Sequence, residues 1–184
     1  QFASSAASDV YKRQSIDPIA DGEFSMMGNS QYEWVTNELL NSTAKWRIVA
    51  SQNMMGTWST VGLPALPLFG EDVFDDTTWD GFPAERERFL QFWKDNNINN
   101  NVVISGDSHI SMAMDLAISP LDSLAYNKNT GEGSLGVELL PTSISRGNFD
   151  EFGLPISLAQ NAVNLSMQAN PHHIFSDVTQ HGYG

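Results

Sequence analysis

Val102-Val103-Ile104-Ser105-Gly106-Asp107-Ser108-His109 reads as a strand running into a turn. A short β-branched run without polar interruption is typical of strands buried on both faces. The glycine after it permits close approach of another backbone. Beyond it the turn carries a carboxylate, Asp107, and an imidazole, His109, at i and i+2. In α/β sheets, ligands bind in the crevice past the carboxyl ends of the strands. Asp and His at this spacing on a turning chain can converge on one cation. The plain alternative is local, with Asp107 capping the turn and His109 packed under a loop.

Working downstream, Met112, Met114, Leu116 and Ile118 alternate with Ala113, Asp115 and Ala117, which predicts a second strand. A Gly/Asn-rich turn at residues 127–133 precedes a strand over 135–140 and a helix over 156–169, stopped by Pro171. Residues 174–178 open a last strand. Upstream, the polar run 96–101 ends a helix over 83–95. Pro83 suits its first turn, Asp80 and Glu85 suit its positive end, and Phe89, Leu90 and Trp93 form its apolar face. Residues 53–80 hold Gly, Pro, Trp and acids without a sustained period, and a loop of that length is usually functional or mobile. Residues 45–52 alternate Trp46, Ile48 and Ala50 with Arg47, Val49 and Ser51, as in a strand with at least one face buried. Before it, residues 29–41 form a helix, with Ser30 and Glu33 at capping-box spacing and Tyr32, Val35 and Leu39 on its apolar face. Trp58, Trp79 and Trp93 are expected to anchor core or loops. Helices and strands alternate, so the class is α/β.

The chain has 184 residues, enough for one domain. With 41% hydrophobic and 17% charged residues it has a globular composition. Cysteine is absent, which excludes disulfides, thiolate metal sites and thiol nucleophiles. Twenty-two acidic residues against nine basic give a net charge of −13, the opposite of what a nucleic-acid binding module needs. An anionic substrate would need positive charge from elsewhere, and bound metal ions are the usual source. No apolar run is long enough to span a bilayer; the richest, residues 61–69, is broken by Pro64 and Pro67. Residues 1–14 carry no usable periodicity and are read as a leader apart from a domain over 15–184.

Several blocks, in order, carry a resemblance. Met27-Gly28 with Gln31, Trp34 and Leu39-Leu40 is one, and the strand and turn WRIVASQNMM from Trp46 is the next. Trp79-Asp80-Gly81-Phe82-Pro83-Ala84-Glu85-Arg86 comes third, then the segment from Ile104 to Asp115 containing S-G-D-x-H. Val137-Glu138 with Thr142-Ser143-Ile144-Ser145, and Asn170-Pro171-His172 leading to His181-Gly182-Tyr183, complete the series. In these blocks the chain resembles the alkaline phosphatase D (PhoD-like) family of the calcineurin-like metallophosphoesterases.

That resemblance implies part of a β-sandwich flanked by helices (αββα), with a multinuclear metal centre at the strand ends. It implies hydrolysis of phosphate mono- or diesters by metal-activated water. Asp107 and His109 become metal ligands, with Gln52 at a strand end where relatives commonly have a metal-binding His. The carboxylate favours Ca²⁺ and the imidazole suits iron or another transition metal. Asn170 and His172 become candidates for the catalytic face, and Arg146, like Arg86, for the substrate phosphate; ion pairing is the plain alternative for both arginines. For Glu71, Asp72, Asp75 and Asp76, which lack EF-hand spacing, a solvated loop is the expectation. The family's earlier ligand blocks are not found before residue 29, where Asp17 is the sole candidate acid, so the chain is expected to be the C-terminal part of a catalytic domain whose N-terminal half is missing. Family members are usually exported, which implies a periplasmic or extracellular location. Oligomeric state is not legible.

Two other classes fit some of the same residues. Gly106-Asp107-Ser108 resembles the strand-end block of GDSL-type serine esterases, with Ser108 as nucleophile. That family places its block early and closes with D-x-x-H, whereas Asp177 and His181 here are spaced D-x-x-x-H. A non-catalytic domain with a metallophosphatase-like fold is the third.

Overall fold

The computed structural model describes residues 25–59, 78–145, 147, 153 and 155–182. The leader, Asp17, the acids at 71–76, Arg146 and Tyr183 lie outside the described residues. Helix α1 spans Gly28–Asn41, α2 Pro83–Asp95 and α3 Ile156–Ala169. Strands β1 (Arg47–Ala50), β2 (Asn101–Ile104), β3 (Ser111–Leu116), β4 (Gly136–Leu140) and β5 (His173–Asp177) form one sheet in the order β1-β2-β4-β3-β5. β1, β2 and β4 run parallel, while β3 lies antiparallel to both β4 and β5.

The helices pack on one face of this sheet. Phe89, Leu90 and Trp93 of α2 and Tyr32 and Leu39 of α1 join Met55, Trp79, Val103 and Leu116 in one buried cluster. Met54, Trp58, Ile110, Met112, Met114 and Leu140 form a second with Ala159 of α3. The three tryptophans expected to be anchors, Trp58, Trp79 and Trp93, are all buried. On the opposite face, Ile48, Ile104, Val137, Leu139 and Phe175 are exposed. The β-branched run of β2 is therefore covered on one side only, with Val103 inside and Ile104 out. β1 shows the same asymmetry: Ile48 and Ala50 point outward and Val49 inward.

The start of α1 differs from the capping-box expectation. The helix begins before Ser30, with Met27 as its N-cap and no side-chain bond from that residue. Its free amide donors are satisfied from a distance. The Glu85 carboxylate, on α2, accepts from Met26 N at 2.5 Å, Met27 N at 3.3 Å and Ser25 Oγ at 2.8 Å. Ser25 Oγ in turn accepts from Gly28 N at 2.7 Å. A carboxylate placed at a helix N-terminus also gains from the helix dipole. Glu85 thus acts for a neighbouring helix as well as lying in the first turn of its own.

Glu85→Ala should detach the start of α1. Loss of these charge-assisted bonds is expected to cost about 1.5–3 kcal/mol, read as a lower denaturant midpoint with faster amide exchange at residues 26–30.

Candidate active site

Three parallel strands, β1, β2 and β4, deliver their carboxyl ends to one edge, where Gln52, the turn 106–109 and Thr142 come next in sequence. Ser51 N donates to Ile104 O at 2.9 Å and Ser105 N to Leu139 O at 3.2 Å, carrying the ladder just past the strands. There the chain turns sharply. Ser108 N donates to Gly106 O at 2.9 Å, and Asp107 between them has φ +72°, the bond and sign of the rare, strained form of γ-turn. His109 is also left-handed, at φ +59°. Its carbonyl accepts from Thr142 Oγ1 at 3.1 Å, which ties the turn to the end of β4.

Non-glycine residues in this region cost energy and tend to collect at functional sites. Asp107 and Gln52 are exposed and His109 is half-buried. Among the described residues none of these three side chains has a hydrogen-bond partner. The three residues expected as ligands therefore follow strand ends at one edge of the sheet, with their polar groups unspent. Among the described residues, however, no three His, Asp or Glu side chains gather closely enough to hold a metal ion. Two such donors and an amide fit part of a metal shell and fall short of a whole one.

Directly beneath this edge sits Glu138, which in sequence stands out only as part of a family block. It is fully buried in the middle of β4. Its carboxylate accepts from Met55 N at 2.8 Å and Gly56 N at 2.6 Å, and also from Ser105 Oγ. Burial pushes its carboxyl up, against the opposing effect of those three donors. Gly56 lets the backbone pass this close: a Cβ there would stand 2.1 Å from Met114 Sδ and 3.0 Å from Glu138 Oε2. Arg86 is directed inward as well, with Asp80, Glu87 and Glu138 supporting its charge against desolvation. Its Nε is out of contact with water and has no hydrogen-bond partner among the described residues.

Asn170 and His172 lie elsewhere. Both are fully buried and grip the loop after β1. Asn170 Oδ1 accepts from Ser59 N and its Nδ2 donates to Ser59 O, both at 2.8 Å. His172 Nε2 and His173 Nε2 both reach Thr57 O, at 2.8 and 2.9 Å. A carbonyl only accepts, so each imidazole carries its proton on Nε2. Trp58 Nε1 adds a bond to Ser166 Oγ at 2.7 Å. These pairs join residues more than a hundred positions apart, and no local pattern announces them. Asp177, the acid of the esterase alternative, uses Oδ1 to accept from Thr179 N at 2.9 Å and Gln180 N at 2.8 Å, closing its own turn.

A mixed sheet with helices on one face and unspent ligand-type side chains beyond parallel strand ends has the layout of a ligand site at the strand ends. Comparison with known proteins supplies the family. The chain belongs to the PhoD-like phosphatase family, whose profile matches residues 1–184. It is 33% identical over 147 residues to alkaline phosphatase D of Bacillus subtilis (strain 168), a match covering 80% of this chain and 23% of that protein. A solved structure of PhoD is similar with a TM-score of 0.62 and 26% identity, over 89% of this chain and 28% of that one. The chain thus spans about a quarter of the length of these relatives. The α/β fold class expected from the sequence is the one found.

The histidine pair makes stability depend on pH. Burial pushes His172 down to about 3, helped by the adjacent His173, and pushes His173 down to about 4. Unfolded, both titrate near 6.5, so the unfolded chain binds protons first as pH falls. Their contribution is complete above pH 6.5 and declines toward pH 4, by up to about 1.4 kcal/mol per pH unit for each ring. Unfolding midpoints measured from pH 8 to 4 should show this limb. His173→Gln, which keeps a donor for Thr57 O, should make it shallower.

Proposed function

We propose that the protein containing this chain hydrolyses phosphate mono- or diesters, and that the 106–109 turn forms one wall of its active site. The observation that carries this reading is the strained turn itself, which holds Asp107 and His109 with no other partner among the described residues in a chain of the PhoD-like phosphatase family. Asp107 and His109 are read as ligands of a metal centre, with Gln52 beside them as an amide donor. A hard carboxylate and an imidazole together suit a centre of Ca²⁺ and iron. When bound, such a centre supplies an activated water and charge for the phosphoryl oxygens.

The residues of this chain do the holding. The turn sets where the Asp107 and His109 side chains leave the backbone, so the backbone itself has little to reorganise when a ligand arrives. Thr142 steadies the carbonyl of His109. Asn170 and His172 enter this reading as the residues that fasten the 57–59 loop, because both are fully buried and their bonds are directed to its backbone. A contact between Arg146 and the substrate phosphate stays part of the proposal, as does an exported location, periplasmic or extracellular. No helix among the described residues is long and apolar enough to cross a membrane.

In the full-length protein, Asp107→Ala and His109→Ala should each lower hydrolysis of an aryl phosphate by about a hundredfold or more, and chelation should do the same. Ser108→Ala should leave the rate within a few-fold, with no labelling by a fluorophosphonate. Ester hydrolysis that survives chelation and disappears in Ser108→Ala would replace this reading with a serine esterase.

A further inference from the structure

We propose that Glu138 is a positioning residue: its carboxylate fixes the loop carrying Gln52 against the turn carrying Asp107 and His109, and so sets the spacing of the side chains that face the substrate. This inference rests on the strand-end site proposed above and adds a residue that touches none of the reacting groups.

A carboxylate on the covered face of a sheet is costly, and is tolerated only where donors replace water. Glu138 has three, and they come from two different segments. Met55 and Gly56 lie just past Gln52 on the chain leaving β1, while Ser105 lies just before Gly106 on the chain leaving β2. One side chain on β4 therefore holds the segments leaving both β1 and β2, at the point where the backbone ladder runs out. The two segments are also joined at the last rung of the ladder, where Ser51 N donates to Ile104 O at 2.9 Å. Any slip of the β1 loop is thereby passed to the turn. The donors divide between the two oxygens: Met55 N and Ser105 Oγ share Oε1, and Gly56 N alone meets Oε2. A carboxamide cannot reproduce that set, because its NH₂ would confront one of the N–H groups.

A carboxylate that served only the fold would, when altered, lower stability and leave turnover by the folded enzyme unchanged. A positioning carboxylate behaves differently, because small displacements of catalytic groups cost rate more than binding. In the full-length protein assayed on 4-nitrophenyl phosphate, Ser105→Ala and Glu138→Gln should each lower kcat by about 10- to 100-fold, with KM within about threefold. Ser105→Ala is the milder change, since it removes one hydroxyl and leaves the carboxylate its two backbone donors. Hydrogen exchange supplies a readout independent of turnover: protection should fall at residues 52–56 and 106–109 while the amides of α2 stay protected. Unchanged kcat in Ser105→Ala, or protection lost uniformly across the domain, overturns the positioning role. His109→Ala run in parallel separates the two readings. If it abolishes activity while Ser105→Ala and Glu138→Gln are silent, the positioning role alone falls; if it keeps full activity, the strand-end site falls and the positioning role falls with it.

Discussion

A single buried carboxylate decides how the open edge of this sheet is organised. Parallel strands bond evenly along their length, but the ladder ends where each chain leaves the sheet, and β-structure alone does not fix the path of the chain beyond that point. Glu138 supplies the missing constraint. It sits on the strand between β2 and β3, on the face that the helices cover, and extends the order of the sheet past Ala50 and Ile104 through donors on both departing segments. The fully buried Met114 and the absence of a side chain at Gly56 are parts of the same packing. Enlarging either position would lift the loop off the carboxylate and leave a buried acid short of donors.

The same loop is gripped again a few residues later. Asn170, His172 and His173 take hold of Thr57 and Ser59, and Trp58 is locked between Ser166 and the second core cluster. The segment after β1 is thus fastened at one end to β4 and at the other to the junction of α3 and β5. Both fastenings use polar groups almost or wholly removed from water, where a satisfied bond specifies position sharply and a broken one is expensive. All of these pairs are distant in sequence, so each closes a long loop and adds to the non-local share of the fold's contacts.

Much of the architecture could be read locally. α2 and α3 have the predicted bounds because proline, apolar spacing and a polar or proline stop all act within a few residues. β3 was legible from the alternation of Met112, Met114 and Leu116. The turn after β2 was legible too, since a glycine followed by Asp and His is unusual at a strand end. Three things were hidden. The capping of α1 depends on Glu85, some sixty residues away, and the local Ser30–Glu33 pattern offered a false substitute. Alternation in β1 and the β-branched run of β2 revealed apolar side chains without revealing that Ile48 and Ile104 lie on the face the helices leave open. The tasks of Glu138, Asn170 and His172 were hidden because a polar residue in a strand or at a helix end looks alike whether it meets solvent, substrate or another loop.

The left-handed backbone at Asp107 also bears on how this protein can change. A glycine would adopt that conformation without penalty, so on stability alone Asp107→Gly is favoured there by about 1 kcal/mol. Selection for heat resistance would therefore be drawn to it and would remove the exposed carboxylate in the process. Under the proposed role of Asp107, thermal robustness and chemistry compete for one codon, and an aspartate kept at that position through such selection would mark it as held by function.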